Sequence, residues 1–557
     1  MAPPTHDVHT ISDDYVDAAA AADPVIATLS GIPGYDHLLP DYSPEGVAAR
    51  AAINAGALER MAATEATDAL SANAKAVFTE RVGLAREIDE AGLTDWTINV
   101  VTAPALDLRS AFDLMPTGTA EDWDAIGARL AAVPAALAGH VETLRAAAAR
   151  GQVAAVRQVT KVAEQCRVYA GQSGTPSYFT TLVAGAGEHS GDRLVASARA
   201  ADQAYAELAD FLEKDLAPIA PTKDAVGAER YALFSRLYTG AKLDLAEAYA
   251  WGWEEFTRVE TEMREVAGRV KPGATIAEAA AHLDQDPRYQ VTGQRALQEW
   301  MQRLSDQALA DLRGVHFDIP DRLMALECRI APPGGPVGAY YSGPSDDWSR
   351  PGRMWWSVPV DREGFSTWRE VTTVYHEGVP GHHLQIATAV NQADSLNRFQ
   401  RLLCWVPGHG EGWALYAERL MREFGYLSDD GDLMGMLDAH LFRAARVIVD
   451  IGMHLELEIP KGTGFHEGER WTPELGLEFL LTRTITDPAH VRDEIDRYLG
   501  WAGQAPAYKL GERLWLRARD EVKARQGADF DLKRFHRDVL EMGAMGLDTL
   551  SERLAAL

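Results

Sequence analysis

The stretch "DLAEAYAWGWEEFTRVETEMREVAGRV", which starts at Asp244, constrains the fold more than any other. Leu245, Tyr249, Trp253 and Phe256 recur three or four residues apart, which on a helix makes a single apolar stripe. The same texture runs through "EGVAARAAINAGALERMAA" from Glu45 and "WDAIGARLAAVPAALAGHVETLRAAAARG" from Trp123. Such stripes are read as helix-packing core. With 557 residues, 46% of them hydrophobic, the chain can bury a large core and build more than one lobe. No repeat and no long low-complexity linker interrupts the helical pattern.

Near residue 320 the texture changes. "LMALECRIAP", "VGAYYSGPSDDW" and "GRMWWSVPV" are short, rich in aromatic or branched residues and punctuated by Pro and Gly. They read as strands of a small sheet. Helical patterns resume from about Ser366 to the end. The expected architecture is therefore mainly α (α+β), with a helical lobe over 1–320, a sheet-bearing lobe over 321–557 and a cleft between them. A sheet edge in this position could take an extended peptide as an added strand.

The formal charge is -28, from 82 acidic and 54 basic residues. A surface that negative repels phosphate backbones and anionic lipid, so neither nucleic acid nor a membrane is the expected partner. No run approaches the roughly 20 apolar residues of a membrane helix. The amino-terminal stretch lacks the basic start and apolar core of a signal peptide. Cys166, Cys328 and Cys404 lie far apart and read as reduced thiols. A soluble cytoplasmic protein is the expectation.

Against this background "YHEGVPGHHLQ", Tyr375 to Gln385, stands out. A zinc-binding helix of the H-E-x-x-H kind places two histidines four residues apart on one face, with a glutamate between them. Here His376 and Glu377 open the pattern, but Pro380 occupies the place of the second histidine. A straight helix would turn about 600° between His376 and His382 and leave them on different faces. Val379, preceding proline, is pushed away from helical angles, and Pro380 cannot donate to the carbonyl of His376. Proline is nevertheless welcome in a first helical turn, and "PGHHLQIATAV" is a good helix start. Two helical segments joined by a bulge bring His376 and His382 to one ion, with two residues looped out. His383 then points elsewhere and is read as packing or support.

A third ligand is expected downstream. In "GEGWALYAERL", from Gly410, Glu411 and Glu418 fall on one helical face. Glu411 completes a His2Glu catalytic zinc set, and Glu418 is placed to accept a hydrogen bond from a ligand histidine.

"HEGVPGHHLQ", "EGWALYAE" and "DRYLGWAGQAPAYKLG" (from Asp496) resemble the bacterial family called domain of unknown function 885. The resemblance covers the carboxy-terminal half from "AYYSGPSDDWSRPG" onward; the amino-terminal half shares helical character and "SGTPSYF" near Gly174. It implies a gluzincin-type zinc metallopeptidase with the same stretched motif. The spacing of Glu411 and Glu418 also resembles helical carboxypeptidases and oligopeptidases of the thermostable carboxypeptidase and thimet-oligopeptidase type. One stretch, "LELEIPKGTGFHEGER" between His454 and Trp471, departs from the family pattern as an insertion. Tyr508 is the candidate for steadying an oxyanion, as a tyrosine does in related peptidases, with Tyr498 the weaker choice. His454 and Arg497 are further candidates for substrate contact, though a satisfied core histidine and a structural ion pair fit them better. His409 is given no role, and His466 reads as loop.

The sequence therefore points to a zinc-dependent metallopeptidase of short peptides. Zn2+ is held by His376, His382 and Glu411, Glu377 is the general base and Tyr508 serves the oxyanion. The same residues would serve a zinc hydrolase of a non-peptide amide or ester. A non-catalytic peptide-binding relative is the third reading, disfavoured because a structural site needs no base beside His376.

Overall fold

The computed structural model describes residues 7–331, 338–346, 348–359 and 362–555. It is mainly helical with two small sheets, in keeping with the α+β expectation. The chain forms two compact units. One runs through Ala225 and includes Asp496–Trp501; the other comprises Val226–Ile495 and the chain from Ala502. The texture change near 320 does not coincide with this division, since residues 226–320 belong to the second unit. The reason is packing: the helix Leu245–Val270 lies along the helix Asp430–Leu455, with Gly252 against Val447.

The first unit is helical. Its long helices Ala120–Ala149 and Asp192–Phe211 pack together and bury Leu130, Leu137, Ala198 and Tyr205. In the second unit, the expected stripe buries Tyr249, Trp253 and Phe256, while Leu245 stays half-buried. Trp253 and Phe256 meet Phe479 at ring distances of 5.4 and 5.3 Å. Phe465, from the 455–470 insertion, joins this cluster at 5.1 Å from Phe479.

The three strands read from the sequence are Leu326–Ile330, Ala339–Ser342 and Gly352–Trp356. Pro332, Val337, Asp347 and Val360, within those stretches, lie outside the described residues. Gly352–Trp356 is central, parallel to Leu326–Ile330 and antiparallel to Ala339–Ser342. Alternation places Leu326, Cys328, Met354 and Trp356 inward. The outer edge of Leu326–Ile330 is closed by the helix Gln294–Leu312. Gln302 donates to Leu326 O at 2.8 Å and accepts from Cys328 N at 2.9 Å, and Gln298 donates to Cys328 O at 2.9 Å. These glutamines supply the hydrogen bonds a neighbouring strand would have made. A second sheet, Gln290–Thr292 with Gly364–Ser366, was not foreseen; three residues per strand leave no readable alternation.

Among the described residues no helix is long and apolar enough to cross a membrane. Cys166, Cys328 and Cys404 are buried thiols, none of them in a disulfide.

Candidate metal centre

The stretched motif folds as two helices with a tight turn between them. Glu370–Glu377 ends at Gly378, and His382–Asn391 begins four residues later. Gly378 N–H donates to Val374 O (2.9 Å), Gly381 N–H to Tyr375 O (3.0 Å) and His383 N–H to Gly378 O (3.0 Å). The Val379–Pro380 peptide is cis. A Cβ at Gly381 would lie 1.9 Å from His376 O, so the backbone can double back here only with glycine. The result is the bulge expected from the sequence. The His376 and His382 rings stand 4.9 Å apart and nearly perpendicular.

Glu411 arrives on the helix Pro407–Glu423, which is tied to the turn by Trp413 Nε1 donating to Pro380 O at 2.9 Å. Its Oε2 lies 3.3 Å from His376 Nε2 and 3.5 Å from His382 Nε2. Donors about 2.0–2.1 Å from a tetrahedral ion are roughly 3.3 Å from one another, so these three atoms fit the donor set of one ion. Glu377 is also present: its carboxylate and the two histidines offer donor atoms within 4.8 Å of one another. Burial raises the pKa of Glu377, more than the nearby His382 and His376 lower it. Burial also acts on Glu411, but hydrogen bonds from His376 and His382 outweigh it and hold that carboxyl far below its usual value. The two acids are thereby driven apart, Glu411 downward by its histidine hydrogen bonds and Glu377 upward by burial.

Behind the histidines is a buried polar chain. Glu418 is fully buried; its Oε1 is 2.8 Å from His376 Nδ1, and its Oε2 accepts from the Thr372 hydroxyl. Without an ion, His376 Nε2–H donates to Glu411; with one, the proton kept on Nδ1 by Glu418 would leave the Nε2 lone pair for the ion. His440 Nε2 stands 3.5 Å from Glu418 Oε2, and His440 Nδ1 accepts from the Lys509 ammonium at 2.9 Å. Lys509, itself fully buried, pairs with Glu255 at 2.9 Å and Glu512 at 2.5 Å. Arg419 completes the cluster by donating to Glu512 at 2.7 Å. His382 has no such support: among the described residues its Nδ1 has no hydrogen-bond partner.

The centre opens into a cavity of about 480 Å³, lined wholly from the second unit. Among the described residues no lining residue comes from 1–320, so the cavity does not lie between the lobes expected from the sequence. Ala339, Tyr340 and Tyr341 of the edge strand line it together with Tyr508, Arg443 and Arg446. Tyr508 begins the helix Ala507–Gln526, which crosses the Glu411 helix where glycines meet. A Cβ at Gly412 would lie 2.5 Å from Gly511 C, and one at Gly511 2.2 Å from Gly408 O. This close approach carries Tyr508 to the site.

The remaining candidates lie elsewhere. His383 Nε2 donates to Leu323 O at 2.7 Å and Nδ1 accepts from Tyr341 Oη at 2.9 Å, so the ring is neutral and structural; burial pushes its pKa down to about 4. His409 meets Gln385 at 2.9 Å, and burial lowers it to about 3. His454 is buried, with its carbonyl accepting from Gly227 N–H. His466 sits in a loop between Glu469 and Glu478. Arg497 and Tyr498 belong to the first unit and do not line the cavity. Arg443, Arg446, His440 and Lys509 were missed from the sequence. Lys509 adjoins Tyr508 and the "RAAR" arginines share a helical face, but nothing local tells such residues from solvated ones.

Two solved structures share the fold. A provisionally assigned lipoprotein from Colwellia psychrerythraea superposes with a TM-score of 0.84 at 24% identity, covering 99% of this chain and 98% of that one. A provisionally assigned lipoprotein of unknown function from Shewanella oneidensis gives 0.75 at 17% identity, covering 98% and 99%. A provisionally assigned oligoendopeptidase F from Bacillus anthracis reaches only 0.36 at 12% identity, over 97% and 92%, too low to carry an argument. No curated protein matches the sequence. The profile described as "Bacterial protein of unknown function (DUF885)" matches residues 24–554, nearly the whole chain, and the protein therefore belongs to that family.

Proposed function

We propose that this protein is a zinc-dependent peptidase of short peptides. The observation that carries the reading is the spacing of His376 Nε2, His382 Nε2 and Glu411 Oε2, with a second carboxylate, Glu377, left beside them. His376, His382 and Glu411 hold the ion. Zinc, when bound, supplies a Lewis acid that polarises a carbonyl and acidifies water. Glu377 takes the proton of the attacking water and passes it to the leaving amine; burial raises its pKa. Glu418 fixes the tautomer of His376. Ala339–Ser342 ends the sheet order and lines the cavity, which places it beside a bound substrate backbone.

The test is hydrolysis of a mixture of short peptides with free and blocked ends, followed by mass spectrometry, alongside metal analysis of the purified protein. Cleavage should vanish on chelation and return with zinc. A zinc-loaded protein that leaves every peptide intact, yet hydrolyses simple esters or non-peptide amides, would move the reading to another hydrolase class.

Tyr508 reaches the cavity with its ring under Arg446, 4.8 Å from the guanidinium, and is assigned the oxyanion. Tyr508→Phe should lower kcat by roughly 10²-fold with little change in KM, as loss of one such donor does elsewhere. A wild-type kcat in that variant would remove Tyr508 from the chemistry.

A further inference from the structure

Arg443 and Arg446 lie one turn apart on the helix Asp430–Leu455 and line the same cavity as the metal donors. Their situations differ. Arg446 is committed, with its guanidinium 2.9 Å from Glu494 and stacked over Tyr508. Arg443 is less committed: among the described residues it enters no ion pair within 4 Å and its buried Nε has no hydrogen-bond partner, although its charge acts at longer range on Glu377, Glu418 and Asp438. Asp438, five residues earlier on its own helix, pairs with Arg369 at 3.5 Å and feels Arg443 at longer range. Arg443 reaches the Tyr508 ring only loosely, at 5.9 Å.

A guanidinium carries donors in a planar fork that matches a carboxylate, and leaving them unmatched in a partly buried site is unfavourable. The cavity lining also carries Glu377 and Glu411, and in this acidic chain the Arg443 guanidinium, with its unmatched Nε, is the lining cation with a donor left for an anionic group. The cavity volume of about 480 Å³ suits a small ligand rather than a long chain.

We infer that Arg443 recognises the C-terminal carboxylate of the substrate, so that the site removes residues from free carboxy termini rather than cutting within chains. This rests on the peptidase reading above. Arg446, neutralised by Glu494, packs on the Tyr508 ring on the same wall. Arg443 is thus a specificity-determining residue, one turn of helix from the arginine that backs the oxyanion tyrosine.

The test uses N-acetylated tripeptides of mixed sequence, each as free acid and as C-terminal amide, with the zinc-loaded full-length protein. Wild type should cleave the acids with kcat/KM at least roughly 10²-fold above the amides, the scale set by losing one partner of a buried charge pair. Arg443→Ala should bring that ratio close to one, and Arg443→Lys, which keeps charge without the fork, should restore part of it. Equal cleavage of acids and amides by wild type overturns the inference. So does an acid preference that survives in Arg443→Ala.

Should wild type cleave nothing, the peptidase reading fails, and the same peptides in equilibrium dialysis read Arg443 separately. Retention of acids over amides that is lost in Arg443→Ala supports carboxylate recognition, and its absence in wild type overturns it. If amides carrying Asp or Glu are retained as well as the free acids, the assignment to the terminal carboxylate is overturned.

Discussion

Glu377→Gln should retain bound zinc and lose peptide hydrolysis by roughly 10²- to 10⁴-fold, about 3–5 kcal/mol of barrier. The substitution keeps the shape of the side chain and removes its capacity to accept a proton. Metal retention follows from the donor set, because Glu411 Oε2 sits at ligand spacing from both histidines and does not depend on Glu377. Folding should be undisturbed or slightly improved, since Glu377 is buried with a raised pKa and a neutral amide avoids the cost of burying its charge. The measurement is kcat on the best peptide of the screen, with zinc content determined on the same sample. Hydrolysis at the wild-type rate would end the proposed mechanism. Loss of zinc together with activity would instead make Glu377 a ligand.

The second large effect concerns the donors. His376→Ala, His382→Ala and Glu411→Ala should each lose stoichiometric zinc, whereas His383→Ala should keep it. His383 has both ring nitrogens engaged, by Leu323 O and Tyr341 Oη, and neither faces the cavity. Its replacement should therefore cost stability, through an unpaired carbonyl and a cavity, rather than metal. A thermal shift on adding zinc separates the two outcomes. A ligand at 1,000 times its Kd stabilises the native state by about 4 kcal/mol, so Tm should rise on zinc addition in wild type and His383→Ala and stay flat in the other three. A flat response in His383→Ala would show that the bulge registers the wrong histidine.

How much of this site was legible depended on how far apart the residues lie along the chain. His376 and His382 can be paired from sequence because Pro380 and Gly381 forbid a continuous helix, and a turn of four residues is the simple way to keep both histidines useful. Glu411 and Glu418 were legible because one carries the other at helical spacing. Tyr508 was suggested by family resemblance, and its place in the cavity comes from the crossing of Gly412 and Gly511, nearly a hundred residues apart. The boundary between units was misplaced for a related reason. The stripe on Leu245–Val270 announces that a partner exists but not that the partner is Asp430–Leu455.

What the sequence determined by itself is what local chemistry dictates. Apolar periodicity specifies helices, β-branched and aromatic runs between Pro and Gly specify the three strands, and the Pro-Gly interruption specifies a bulge in the metal motif. Only the tertiary structure closed the edge of Leu326–Ile330, by setting Gln298 and Gln302 against it. It also gave Lys509 a buried place behind His440 instead of a solvated one, and it set Arg443 in the cavity lining with its Nε unmatched while engaging Arg446 with Glu494. A lysine or arginine carries the same charge and the same helical spacing wherever it stands. Its role is set by the partners that distant segments bring within about 3–4 Å of it, and that distance is a property of the packed chain alone.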